Sequence, residues 1–152
     1  MGFSETIPDT GTSTRTLLFR VGEGTYGCDI AAVREIVPFR RATRLPGAPR
    51  YVHGLINLRG TIVTVIDLGA RLDAAREPIA DGSIILAMHG SRLVGVAVDE
   101  VMDVQMITEE TLADATGAAQ DSGAGLVKSL GHLADGVVVL IDVHALITQV
   151  LL

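Results

Sequence analysis

The stretch "LLFRVGEGTYGCDIAAVREI" (17–36), set above "ILAMHGSRLVGVAVDEVMDV" (85–104), decides how the rest of the chain is read. The offset is 68 residues (17 to 85) and the match is ordered: Leu17 and Leu18 fall on Ile85 and Leu86, Gly22 on Gly90, and Tyr26-Gly27 on Val94-Gly95. Ile30, Val33 and Ile36 fall on Val98, Val101 and Val104. A second pair of stretches continues the match. "LINLRGTIVTVIDLGARLD" (55–73) aligns with "LGHLADGVVVLIDVHALIT" (130–148), where the offset is 75 residues (55 to 130) and "IVTVID" meets "VVVLID". The chain is an internal duplication. The change of offset predicts an insertion in the second half, and the small, polar "ADATGAAQDSGAG" (113–125) supplies it as a loop.

Both halves have one grammar. A β-rich segment (16–21; 83–88) leads through a Gly turn to a second strand (25–30; 92–98), and a short irregular or helical piece to a third (36–40; 103–107). Two further apolar strands follow (51–57 with 61–66; 126–132 with 136–141). Five short strands cannot bury both faces as an open sheet, so each half reads as a small closed barrel. The expected fold is mainly β: two intertwined five-stranded barrels, 15–80 and 81–141, then a C-terminal helix, 142–152. Asp67 and Asp142 end strands and open helix-like stretches, which suits N-cap carboxylates. Val143, Leu146, Ile147, Val150 and Leu151 fall at helical spacing.

Composition bounds the function. The chain has 152 residues, is 48% hydrophobic and carries a net charge of −6, with one cysteine and no tryptophan. One domain is expected, with a substantial core and no disulfide. The N-terminus lacks a basic leader and an apolar h-region, and no run of about 18 apolar residues occurs, so a cytoplasmic protein without direct membrane insertion is expected. The four histidines are scattered, and no phosphate loop or nucleophile elbow is present. No catalytic, metal or cofactor site is expected. Cys28 alternates into a strand and reads as a small core residue. Between Arg34 and Arg59 lie six arginines and one acid, whereas ten acids and two arginines lie between Asp73 and Asp121. The net charge has the wrong sign for nucleic acid, and only Phe39 and Tyr51 accompany the arginines. An interaction module remains.

"YGCDIAAVREIV" (26–37), "RLPGAPRYVHGLINLRGTIVTVIDL" (44–68) and "VGVAVDEVMDV" (94–104) resemble the CheW coupling proteins of bacterial chemosensory arrays, over about Leu17 to Ile147. The resemblance implies two intertwined SH3-like barrels. It also implies a non-enzymatic adaptor that links methyl-accepting chemoreceptors, through their cytoplasmic tips, to the regulatory domain of the histidine kinase CheA. Contacts in that family join unlike barrels head-to-tail. A regulatory scaffold of a non-chemotaxis sensory pathway, such as surface motility or biofilm control, is the alternative reading. Arg59 matches the family's turn arginine and Glu35 the nearby glutamate, which makes Glu35, Asn57, Arg59 and Gly60 kinase-docking candidates; a solvated turn arginine is the bland alternative. Leu17, Ile30, Val33, Ile36 and Val101 match a receptor groove between the barrels, and each is equally acceptable as core. Two features depart from the family: "TEETLADATGAA" lacks the prolines often found there, and Ala134 stands where the first repeat has Arg59.

Overall fold

The computed structural model describes residues 13–110, 126–133 and 136–151. Among the described residues, ten strands and two α-helices follow the repeat. The first half contains β1 (Ser13–Val21), β2 (Gly24–Asp29), β3 (Glu35–Pro38), β4 (Val52–Leu58), β5 (Thr61–Asp67) and the short helix α1 (Leu68–Leu72). The second contains β6 (Ser83–His89), β7 (Arg92–Val98), β8 (Glu100–Glu110), β9 (Val127–Leu133), β10 (Gly136–Ile141) and helix α2 (Val143–Leu151). β9 is β4 moved by the offset of 75, residue for residue. The insertion at 113–125 and Ala134 lie outside the described residues.

The strands assemble across the repeats. β1-β2-β10-β9-β8 closes as a barrel, and β3-β6-β7-β5-β4 forms the second five-stranded sheet. Each body therefore takes its first two strands from one repeat and its last three from the other. Four pairs splice them: β2 with β10 and β5 with β7 are parallel, while β1 with β8 and β3 with β6 are antiparallel. This corrects the division into barrels 15–80 and 81–141. The reason lies in the links. Asp99 alone separates β7 from β8, and one residue cannot make even a two-residue hairpin turn. The strand has to run straight on into the other body. In the first repeat a single turn of 3₁₀ helix, Ile30–Ala32, serves the same crossing.

The second body does not close as the first does. β3 ends after four residues at Pro38, which has no N–H to give a neighbouring strand. The chain returns to β4 only at Thr43, which exchanges two 2.8 Å hydrogen bonds with Leu55. β8, with no proline in eleven residues, reaches β9 directly through Glu109–Gly131 and Glu110–Leu130.

One core joins everything. Leu17 and Phe19 of the barrel, Ile66 and Ile85 of the sheet, Leu68 of α1, and Leu146 and Ile147 of α2 form a single buried cluster. Burying each such side chain contributes about 1.5–3 kcal/mol, so the bodies are held as one unit and α2 packs between them. Each body also has its own interior, built around Val63, Val65, Ile84 and Leu86 in the sheet and Leu18, Ile107, Val138 and Leu140 in the barrel. Both predicted caps form: Asp67 Oδ1 accepts from Ala70 N–H at 3.1 Å and Asp142 Oδ1 from Ala145 N–H at 3.0 Å.

Candidate docking site

β4 and β5 are joined by two residues, Arg59 and Gly60, with φ of 49° and 89°. Positive φ at both central positions is the type I′ geometry, one of the two that let so short a hairpin loop follow the strand twist. Gly60 adopts it freely, whereas an L-residue in that region costs about 1–2 kcal/mol. Among the described residues Arg59 alone, apart from glycines, has positive φ. Asn57, still within β4, steadies the turn by accepting the Gly60 N–H at 2.9 Å.

The Arg59 side chain then crosses to the other edge of the sheet. Its Nη2 donates to Glu35 Oε1 at 2.5 Å, and the pair keeps side-chain exposures of 66% and 39%. Arg40 adds a bond from its Nη1 to the Asn57 carbonyl at 3.3 Å. The structure thus brings together Glu35, Asn57, Arg59 and Gly60 on one outward face, where Pro38 has left β3 and β4 unzipped. All six arginines from Arg34 to Arg59 are exposed.

The groove positions divide. Leu17 is 2% exposed inside the shared core, because β1 is flanked by β2 and β8 and turns this side chain inward; it is not available as a groove wall. Ile30, Val33 and Val101 are partly buried against the same cluster, and Ile36 stands exposed outside it. Beside them β8 carries an apolar stripe, Met102, Val104 and Met106, all exposed. The sequence reading missed this stripe, although the repeat signals it: Val104 is the counterpart of Ile36.

Asp99, the crossing residue, was also missed. Its Oδ1 accepts from Arg76 Nη2 at 2.5 Å, its Oδ2 from Gly22 N–H at 2.6 Å, and its own N–H donates to the Arg20 carbonyl at 3.0 Å. The Arg76–Asp99 pair is mostly buried and ties the loop after α1 to the β1–β2 turn across the two bodies. Its sequence signal is the Val-Asp-x-Val element at 98–101. Tyr26 lies nearby; burial pushes its hydroxyl up and Arg76 draws it partly back. Burial, with Asp29 adjacent, pushes the Cys28 thiol up to about 12. Among the described residues no group of three His, Cys, Asp or Glu is arranged to hold a metal, and no helix is long and apolar enough to cross a membrane.

Residues 15–151 match the sequence profile of the CheW-like domain. The chain belongs to the CheW-like family. Chemotaxis protein CheW of Klebsiella aerogenes is 32% identical over 134 residues, 88% of this chain and 81% of that protein. Chemotaxis protein CheW of Rhizobium meliloti is 41% identical over 106 residues, 69% of this chain and 68% of that protein. The crystal structure of the scaffolding protein TtCheW from Thermoanaerobacter tengcongensis superposes with a TM-score of 0.76 at 28% identity, covering 88% of this chain and 91% of that one. Membership in this chemotaxis scaffold family agrees with the resemblance carried by Arg59, Glu35 and the Val-Asp-x-Val element, and the match of 15–151 spans both repeats.

Proposed function

We propose that this chain is a non-enzymatic cytoplasmic adaptor that couples the cytoplasmic tip of methyl-accepting chemoreceptors to the regulatory domain of a CheA-type histidine kinase, within membrane-associated receptor arrays. One observation carries the reading. The chain holds an arginine in a backbone conformation that glycine or asparagine would adopt at less cost, and its guanidinium reaches Glu35 across an open sheet edge. A planar fork held by one carboxylate keeps donors free for a partner. The Glu35, Asn57, Arg59 and Gly60 face is the kinase-docking surface on this reading. Ile30, Val33, Ile36 and Val101 line the receptor groove, extended by the β8 stripe.

The charges support head-to-tail assembly. The six exposed arginines lie along the segment from Arg34 to the β4–β5 turn, whereas β8 of the barrel carries Glu100, Asp103 and Glu109. Contacts between unlike bodies bring opposite charges together, with itself or with a homologous kinase domain.

Binding of the purified chain to an immobilised CheA regulatory domain and to a receptor-tip helical hairpin tests the proposal. Binding to both, with the kinase interaction weakened by Arg59→Ala, is expected. Failure to bind either partner overturns it.

A further inference from the structure

The two capping aspartates differ in what their second oxygen holds. In the first repeat, Asp67 is 2% exposed and both carboxylate oxygens are used. Oδ1 caps α1, and Oδ2 accepts the Ile79 N–H at 2.9 Å. Ile79 arrives from the loop between α1 and β6, and its side chain is buried in the cluster that includes Val65, Ile84 and Ala97. In the second repeat Asp142 caps α2 in the same way through Oδ1, but none of the described residues donates to its Oδ2. The counterparts of Val65, Ile84 and Ala97 are Leu140, Thr16 and Asp29. These three, with Asp142, line a cavity of about 200 Å³. α2 runs on to Leu151 where α1 stops at Leu72, so no described segment enters as the 73–82 loop does.

We propose that this cavity is a binding site for an extended peptide segment of another protein, which places an aliphatic side chain where Ile79 sits in the other body and donates its main-chain N–H to Asp142 Oδ2. The first repeat is the template for the occupant. The space is several times the roughly 30 Å³ share of one water molecule, and Cys28, Leu140 and Ile141 give it apolar walls. The rim selects charge. Glu109 is already engaged by Thr14, Ser129 and Lys128, and Asp29 and Asp142, which line the cavity together with Lys128 and His144, each have one oxygen occupied by a backbone N–H. A basic residue beside the aliphatic one complements them. This site is separate from the Arg59 face, and the proposal stands whether or not the chain docks a kinase.

The probe is acetyl-Arg-Pro-Ile-Ala-amide, taken from Pro78-Ile79-Ala80 with a basic residue in front, titrated into the isotope-labelled full chain and followed by backbone amide NMR shifts. Saturable shifts at Thr16, Cys28 and Asp142 are expected. The same peptide with N-methylated isoleucine, which lacks the donor, binds about tenfold or more weakly. Replacing the isoleucine by alanine weakens binding as well. Asp142→Asn, which keeps a capping oxygen, reduces affinity, and Cys28→Leu fills the floor and blocks the probe. Should Cys28→Leu fail to fold, the N-methylated peptide on the parent protein decides. Shifts confined to the arginine face, or equal binding by the N-methylated or alanine peptide, overturn the proposal.

Discussion

Gly27 and Gly95 occupy the same position in the two bodies, and each is closed in by the same neighbours. A Cβ on Gly27 would fall 2.6 Å from Thr16 Cγ2, and one on Gly95 would fall 2.7 Å from Ile84 Cγ2. Thr16 and Ile84 are themselves repeat partners. So are the next contacts, Leu140 and Leu18 around Gly27 and Val65 and Leu86 around Gly95. Gly27→Ala and Gly95→Ala should therefore cost similar amounts, about 1–3 kcal/mol each from overpacking, in urea denaturation. Loss at one position only would mean that the bodies relax differently.

Arg59 separates stability from docking. Arg59→Asn relieves a left-handed arginine and removes an exposed ion pair, two terms of about 1 kcal/mol that oppose each other. Stability should stay within about 1 kcal/mol of the parent, while affinity for the CheA regulatory domain or the receptor tip falls. In binding, Arg59→Ala with Glu35→Ala should lose less than the sum of the singles. Additive losses would show that the two residues act independently.

The two capping aspartates should be unequal. Asp142→Ala removes one helix cap, worth about 1 kcal/mol. Asp67→Ala also leaves the Ile79 N–H buried without an acceptor, raising the loss to about 2–4 kcal/mol. Thermal unfolding of the two variants, with the order Asp67 worse than Asp142, checks this.

Cys28 links stability to alkaline pH. Its folded-state thiol is raised from 9.0 to about 12, so the unfolded chain releases this proton first. The contribution is fully present below pH 9 and is lost as pH rises towards 12, with Tyr26, also raised, acting in the same direction. Cys28→Val should flatten the fall in denaturation midpoint between those limits. Native protein should also resist a thiol reagent that labels it readily once unfolded.

Self-association, if head-to-tail, should depend on salt. Sedimentation velocity should show a mostly monomeric chain when dilute and less association at high salt, since rim charges are screened over about 8–10 Å. A two-fold dimer unchanged between low and high salt would contradict the charge argument.

The elements were legible in the sequence because alternation and glycine turns repeat at fixed offsets, and so was the capping role of Asp67 and Asp142. The exchange of strands between bodies was not. Alternation reports which face of a strand is buried, never which strand lies beside it, and β2 meets β10 from more than a hundred residues away. The signal was the one-residue gap at Asp99, visible only once the ends of β7 and β8 are known. The incomplete closure of the second sheet could have been read from Pro38. Leu17 shows the limit at single residues: an apolar side chain on a strand looks the same whether it lines a groove or fills a core.

The strand exchange also makes each repeat incomplete by itself. One repeat alone supplies five strands, but its first two pair in one body and its last three in the other, and in the second repeat the link between them is too short to fold back. A free-standing repeat of that length could complete a barrel only by lending strands to a second copy and receiving that copy's strands in return. Such a partner would be obligatory, since neither copy has a core of its own. Joined end to end in this chain, the two repeats make that exchange within one molecule. The two bodies nonetheless differ: the arginine turn lies in one, and the open cavity, walled by both repeats, in the other.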